Sequence, residues 1–307
     1  MRIVFMGTPD FAVPSLQAIL KSTHEVAAVV TAPDKPRGRG QKVSSTPVKQ
    51  CAEEHSLPLI QPESVKAPEF VEALHTVQAD CYVVVAFKIL PPEVFNIPPK
   101  GTFNLHASLL PRFRGAAPIN WALMRGEEES GVTTFLIDEK VDTGNILLKE
   151  AIPIGKDMTA GELHDALSAL GANAIVKTLD GLESGSLSPK PQDDTEATPA
   201  PKIWRETCRI DWSKPAEEIH NHIRGLSPYP GAWTMLGETQ FKILRSAIAS
   251  TEGQGNPGAI VASRDSIEVE CADGRIEVVE LQMQGKKVLR ADAFLRGYTF
   301  PEGSTFE

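Results

Sequence analysis

Apolar residues near the start of the chain fall in short unbroken runs separated by stretches of helical spacing. Arg2-Ile3-Val4-Phe5-Met6 forms the first run, Gly7-Thr8-Pro9-Asp10 makes a turn, and residues 11–21 carry apolar side chains at helical intervals. Residues 25–31 and 80–87 repeat the strand-like run, with helix-compatible sequence between them. Strands that alternate with helices predict parallel βαβ units, and so an α/β fold with an open, mostly parallel, doubly wound (Rossmann-like) sheet. Ligands in such sheets bind in the crevice beyond the carboxyl ends of the strands. Gly101-Thr102-Phe103-Asn104-Leu105-His106 has the character of a further strand, which puts Asn104 and His106 on one side of it.

Residues 158–182 read as a long helix, and 185–201 are rich in Ser, Pro, Asp and Thr with no apolar period. The pattern then changes. A short helix over 215–224 and a turn at 225–231 precede β-like runs at 240–248, 258–262, 266–271 and 275–283, which predict a smaller β-barrel. The expected division is a domain over 1–189, a linker over 190–206 and a second domain over 207–307.

Length agrees with two domains, since 307 residues exceed the usual domain size of roughly 100 to 200. Hydrophobic residues at 41% and charged residues at 23% exclude a wholly disordered or fibrous chain. The first apolar run is too short for a signal peptide, and no segment approaches the roughly 20 apolar residues of a membrane span. A cytoplasmic protein without membrane contact is the expectation. Cys51, Cys81, Cys208 and Cys271 lack CxxC spacing, so free thiols are expected rather than a zinc site or a disulfide framework. The net charge of −9 leaves nucleic-acid binding to local basic patches. Gly7 stands without the rest of a GxGxxG or P-loop pattern.

Chemistry concentrates in Asn104-Leu105-His106-Ala107-Ser108-Leu109-Leu110-Pro111. Taken singly, each residue has a bland structural reading. Together they resemble the 10-formyltetrahydrofolate-dependent formyltransferase family, whose hallmark is an Asn-x-His strand followed by Ser-Leu-Leu-Pro. Val141-Asp142-Thr143-Gly144 stands where that family places its Asp-x-Gly loop. The resemblance implies transfer of a formyl group from 10-formyltetrahydrofolate to an amine, with Asn104, His106 and Asp142 as catalytic residues. Attack on the formyl carbon creates an oxyanion that an amide donor such as Asn104 can stabilise. An imidazole can carry the protons between the two nitrogens, and a carboxylate can orient it and balance its charge. The resemblance also implies a folate site built from Ser108, Leu109, Leu110 and Pro111 and from Phe87, Ile89 and Leu90. There the chain departs from the common Ala-Tyr-Gly-x-Ile-Leu-Pro, being one residue shorter and lacking the glycine.

Members of the family act on a purine precursor, on amino sugars or on charged initiator tRNA, and the catalytic motif does not choose among them. Residues 5–14, the basic loop at 31–42 and the strings Ile210-Asp211-Trp212-Ser213 and Leu281-Gln282-Met283-Gln284-Gly285-Lys286-Lys287 resemble the members that formylate initiator methionyl-tRNA. In those members the second domain is OB-like. The resemblance implies tRNA contacts from Lys35, Arg37, Arg39 and Lys42 in the loop and from Lys286 and Lys287. No sequence feature demands a metal ion or an obligate protein partner, and neither is expected. A sugar-nucleotide formyltransferase, a formate-releasing hydrolase and a catalytically silent tRNA-binding module are the alternatives. Replacing Arg39 by Ala is expected to impair formylation of charged tRNA more than folate binding, and equal loss of both would count against the loop.

Overall fold

The computed structural model describes residues 1–37, 42–251 and 255–307. In chain order the elements are β1 (Arg2–Gly7), α1 (Val13–Leu20), β2 (Glu25–Val30), β3 (Lys35–Arg37), β4 (Lys42–Ser44), α2 (Pro47–Glu54), β5 (Leu59–Ile60), α3 (Pro68–Val77), β6 (Cys81–Val85), α4 (Pro92–Phe95), β7 (Thr102–His106), β8 (Arg114–Gly115), α5 (Pro118–Met124), β9 (Glu129–Leu136), β10 (Ile146–Pro153) and α6 (Ala160–Ser184). They continue with β11 (Pro199–Ala200), α7 (Ala216–Leu226), β12 (Ala232–Leu236), β13 (Thr239–Ser250), β14 (Ile260–Ala262), β15 (Ile267–Glu270), β16 (Arg275–Met283), β17 (Leu289–Arg290) and α8 (Ala291–Leu295). Contacts divide the chain into two compact units, one of Met1–Gly115, Ser130–Ile152 and His164–Ala200, the other of Ala116–Glu129, Pro153–Leu163 and Pro201–Glu307.

The first unit is built on a sheet of order β10-β9-β7-β6-β1-β2-β5. Strands β5, β2, β1, β6 and β7 pair in parallel, outward in both directions from β1, which is the doubly wound arrangement. Helices on both faces of such a sheet require strands apolar on both faces, and Ile3, Val4, Phe5 and Met6 are all fully buried. Where β1 ends, a Cβ on Gly7 would lie 2.8 Å from Ala12 Cβ and 3.1 Å from the Val85 carbonyl oxygen, so only glycine lets the chain turn there against the end of β6. The thiol of Cys81, wholly buried in β6, is pushed up to about 12 by burial.

Strand β9 runs antiparallel to β7 and carries no clean apolar run. Its Thr133 and Thr134 are fully buried because each hydroxyl is satisfied: Thr133 donates to the Ser108 carbonyl at 2.7 Å, and the Thr134 and Thr178 hydroxyls lie 2.8 Å apart. The basic segment expected as a loop is a short antiparallel ribbon at its described ends, with Lys35 opposite Ser44 and Arg37 opposite Lys42. Its root is pinned by Asp34, which accepts from Lys49 Nζ at 2.6 Å and from Gln61 Nε2 at 3.1 Å. The hydrogen bond from Lys49 holds the Asp34 carboxyl below the usual carboxylate range.

The second unit carries an antiparallel sheet of order β12-β13-β16-β15-β14, with β17 on β16, as in a small barrel domain. The four expected β runs correspond to β13, β14, β15 and β16, whereas β12 follows directly on the turn and β17 is only two residues long. Register shifts along the β13 and β16 pairing let the long strand bend. Ile219 and Ile223 of α7 pack with Phe241, Val278 and Trp212 in one apolar core. Among the described residues no helix is long and apolar enough to cross a membrane, and all four cysteines are free and buried.

Candidate active site

Because side chains alternate along a strand, β7 sends Phe103 and Leu105 to one face and Asn104 and His106 to the other. Gly171 of α6 lies against Leu105, which seats the strand from behind. His106, at the carboxyl end of β7, is buried, and its Nε2 lies 2.8 Å from the Phe113 carbonyl oxygen. A carbonyl only accepts, so Nε2 carries hydrogen and the neutral ring has its lone pair on Nδ1. That lone pair is the basic site. Asp142 Oδ2 stands 3.8 Å from Nδ1, at ion-pair range.

The arrival of Asp142 at this point needs explanation, since Leu136 pairs with Phe103 and β9 therefore ends beside the start of β7. Residues 137–145 must return over the face bearing Asn104 and His106. Gly144 makes the return possible: a Cβ there would sit 1.7 Å from the Leu136 carbonyl oxygen. Asp142 adopts a left-handed φ of 57°, which Asp tolerates better than most residues. Its Oδ2 accepts from the Gly115 N–H at 2.9 Å, and its carbonyl accepts from Gln192 Nε2 at 2.9 Å. Gln192 also donates to the Gly144 carbonyl and receives Arg114 Nη2 at 2.8 Å. The loop is therefore braced from the backbone and the side chain.

Asn104 is half-buried, and among the described residues its side-chain amide has no hydrogen-bond partner. An amide left open beside an imidazole can donate to a ligand oxygen. Ser108, Leu110 and Pro111 are buried in the turn after β7, where the Ser108 hydroxyl donates to the Arg112 carbonyl at 2.6 Å and the Leu110 N–H to Thr133. They shape the turn, and Leu109 alone of the four is half-exposed. On the shortened segment after β6, Leu90 is buried, Phe87 is half-buried and Ile89 is 77% exposed. Ala86 before them has φ 48°. The carboxyl ends of β1, β6 and β7 lie at the same edge of the sheet, so the segments after β6 and β7 share the crevice side with His106.

Lys35 is exposed, Arg37 and Lys42 lie in the paired strands β3 and β4, and Arg39 lies outside the described residues. Lys286 and Lys287 are exposed on the connection between β16 and β17 in the second unit. Among the described residues no group of three or more His, Cys, Asp and Glu side chains could hold a metal ion. Sequence reading passed over Phe113, Gly115, Thr133, Gln192 and Thr198. The first two act through backbone atoms, which no side-chain motif reveals. Thr198 accepts the Phe113 N–H at 2.9 Å and belongs, with Gln192, to a Pro, Ser and Asp-rich stretch whose composition resembles a linker.

Comparisons with known proteins give the family. Residues 1–179 match the formyl transferase family model, and residues 202–299 match that of the formyl transferase C-terminal domain. The methionyl-tRNA formyltransferase of Trichlorobacter lovleyi is 49% identical over 305 residues, covering 99% of this chain and 96% of that protein. That of Citrifermentans bemidjiense is 48% identical, covering 99% and 95%. Among solved structures, a sugar 3N-formyl transferase, WlaRD, crystallised in the presence of dTDP and 5-N-formyl-THF, aligns with a TM-score of 0.70 at 22% identity, covering 94% of this chain and 99% of that one. At that identity the likeness concerns the fold. Gly144→Ala is expected to destabilise the protein by about 1–3 kcal/mol, the usual cost of forcing an atom into a filled space. An unchanged urea unfolding midpoint would contradict the tight return of the loop.

Proposed function

The chain belongs to the formyl transferase family, and on that premise we propose that it transfers a formyl group from 10-formyltetrahydrofolate to the free amino group of initiator methionyl-tRNA, giving N-formylmethionyl-tRNA. The observation that carries the chemistry is the open Asn104 amide beside an imidazole whose basic nitrogen faces a carboxylate. The α-amine of the methionyl group attacks the formyl carbon, and the Asn104 amide donates to the oxygen as it gains negative charge. His106 Nδ1 takes the proton that the attacking nitrogen must lose and returns it to the departing folate nitrogen. Asp142 stabilises the imidazolium formed between these steps, while the Phe113 carbonyl keeps the ring from turning.

The folate lies in the crevice at the carboxyl edge of the sheet, with Leu109 and Ile89 offering apolar surface and Ser108, Leu110, Pro111, Phe87 and Leu90 setting the walls behind them. For the acceptor, relatives that carry the name methionyl-tRNA formyltransferase match nearly the whole chain, second domain included. Lys35, Arg37, Arg39 and Lys42 of the basic segment at 31–42 and Lys286 and Lys287 of the second domain supply cations for phosphates, and binding in a chain of net charge −9 should weaken steeply with salt. A reaction that consumes charged tRNA and a folate belongs to the cytoplasm.

Incubation with 10-formyltetrahydrofolate and methionyl-tRNA should yield N-formylmethionine after deacylation, whereas free methionine and uncharged tRNA should yield none. Asn104→Ala and His106→Ala, checked for folding by circular dichroism, should each lower kcat by about 100-fold or more. Normal turnover in either folded variant would sink the mechanism.

A further inference from the structure

Residues 190–200 belong to the first unit, although their composition resembles a linker. They form a strap that joins the two segments meeting at the Asp142 carboxylate. At one end Lys190 pairs with Ile146, just beyond the Asp142 loop, through backbone hydrogen bonds of 2.7 and 2.9 Å. At the other end β11 runs beside β8, with Pro199 opposite Arg114 and Ala200 opposite Gly115. The Thr198 carbonyl accepts the Arg114 N–H at 2.9 Å, and its hydroxyl accepts the Phe113 N–H at 2.9 Å. Between these ends Asp193 accepts from the Thr195 N–H and hydroxyl at 2.9 and 2.6 Å. This turns the chain at Asp194, whose carboxylate receives Arg114 Nη2 at 2.7 Å.

Gln192 is where the strap touches both segments with one side chain. Its Nε2 donates to the Asp142 and Gly144 carbonyls, both at 2.9 Å, and its Oε1 accepts from Arg114 Nε and Nη2 at 3.1 and 2.8 Å. Carbonyls only accept and a guanidinium only donates, so the amide has one possible orientation. Its two N–H groups and two oxygen lone pairs are all used, and none is left for a ligand. Any part Gln192 plays in the reaction therefore passes through its partners. Those partners flank a single hydrogen bond: on one side the loop carrying Asp142, on the other Arg114, next to the Gly115 N–H that Asp142 Oδ2 accepts at 2.9 Å. The strap lies tight against that bond, since a Cβ on Gly115 would sit 2.6 Å from the Ala200 carbonyl oxygen.

We propose that Gln192 is a positioning residue for formyl transfer: it locks the Asp142 loop to the Arg114 and Gly115 turn and so fixes the carboxylate opposite His106 Nδ1. It rests on the reading of Asp142 as the carboxylate that balances the imidazolium. That carboxylate stands 3.8 Å from Nδ1, and the ion pair weakens as the distance grows. A misplacement of about 1 Å in a reacting constellation can cost about 100-fold in rate. Gln192 has no free group for either substrate, so its loss falls on kcat and not on KM.

The test uses the full chain with 10-formyltetrahydrofolate and methionyl-tRNA. Gln192→Met, similar in length but without the amide, should lower kcat about 10- to 100-fold and leave KM for both substrates within about two-fold. Gln192→Glu keeps the acceptor for Arg114 but loses both donors, and should lower kcat similarly. In an Asp142→Asn background Gln192→Met should cost less than about three-fold, because residues that act through one another are non-additive. An equal factor in both backgrounds, or a kcat within about two-fold of the parent, would overturn the role. Should the parent protein fail to formylate methionyl-tRNA, the functional reading falls, and amide hydrogen exchange still decides the lock. The Gly115 N–H should exchange about 10-fold faster in Gln192→Met, with that of Val4 in β1 unchanged. Equal protection of Gly115 in parent and variant would overturn it.

Discussion

The geometry of the site depends on one short hydrogen bond, from His106 Nε2 to the Phe113 carbonyl at 2.8 Å. It joins the end of β7 to the turn that follows, and it decides which ring nitrogen is basic. Without it the imidazole could present either nitrogen to Asp142. With it, Nδ1 has the lone pair and faces the carboxylate, which in the proposed mechanism balances the charge when the ring is protonated. The Gly115 N–H, two residues beyond Phe113, then holds the carboxylate. A single turn of chain therefore orients both partners.

That arrangement is maintained against conformational cost. Ala86, Phe113 and Asp142 all have left-handed φ values between 48° and 61°. For residues with a Cβ each costs on the order of 1 kcal/mol or more. At Asp142 the opposing contribution is a hydrogen bond to a charged carboxylate, worth about 1.5–3 kcal/mol, together with the Gln192 bond to its carbonyl. The balance favours the braced loop. At Phe113 the N–H is held by Thr198 and the carbonyl by His106, so the turn is fixed at both of its polar groups. All of these residues lie within the first unit.

The sheet was legible in the sequence because burial on both faces leaves unbroken apolar runs, as in β1 and β6, and the long α6 was legible from its spacing. Asn104 and His106 were legible together because strand alternation puts them on one side, and Asp142 only through its resemblance to a family loop. Strand β9 was hidden because it buries threonines whose hydroxyls find partners, which a count of apolar residues passes over. Gln192 and Thr198 were hidden by the composition around them. The ribbon of β3 and β4 reads as a loop because residues 31–42 are rich in Pro, Gly and basic residues, a composition that hides a pairing made through the backbone.

The tautomer of His106 is the most direct test of this account. Nitrogen NMR of histidine-labelled protein, at a pH where the ring is neutral, should find hydrogen on Nε2 and a lone pair on Nδ1. A neutral ring with hydrogen on Nδ1, or an even mixture of the two forms, would contradict the hydrogen bond to Phe113 and the proton path built on it.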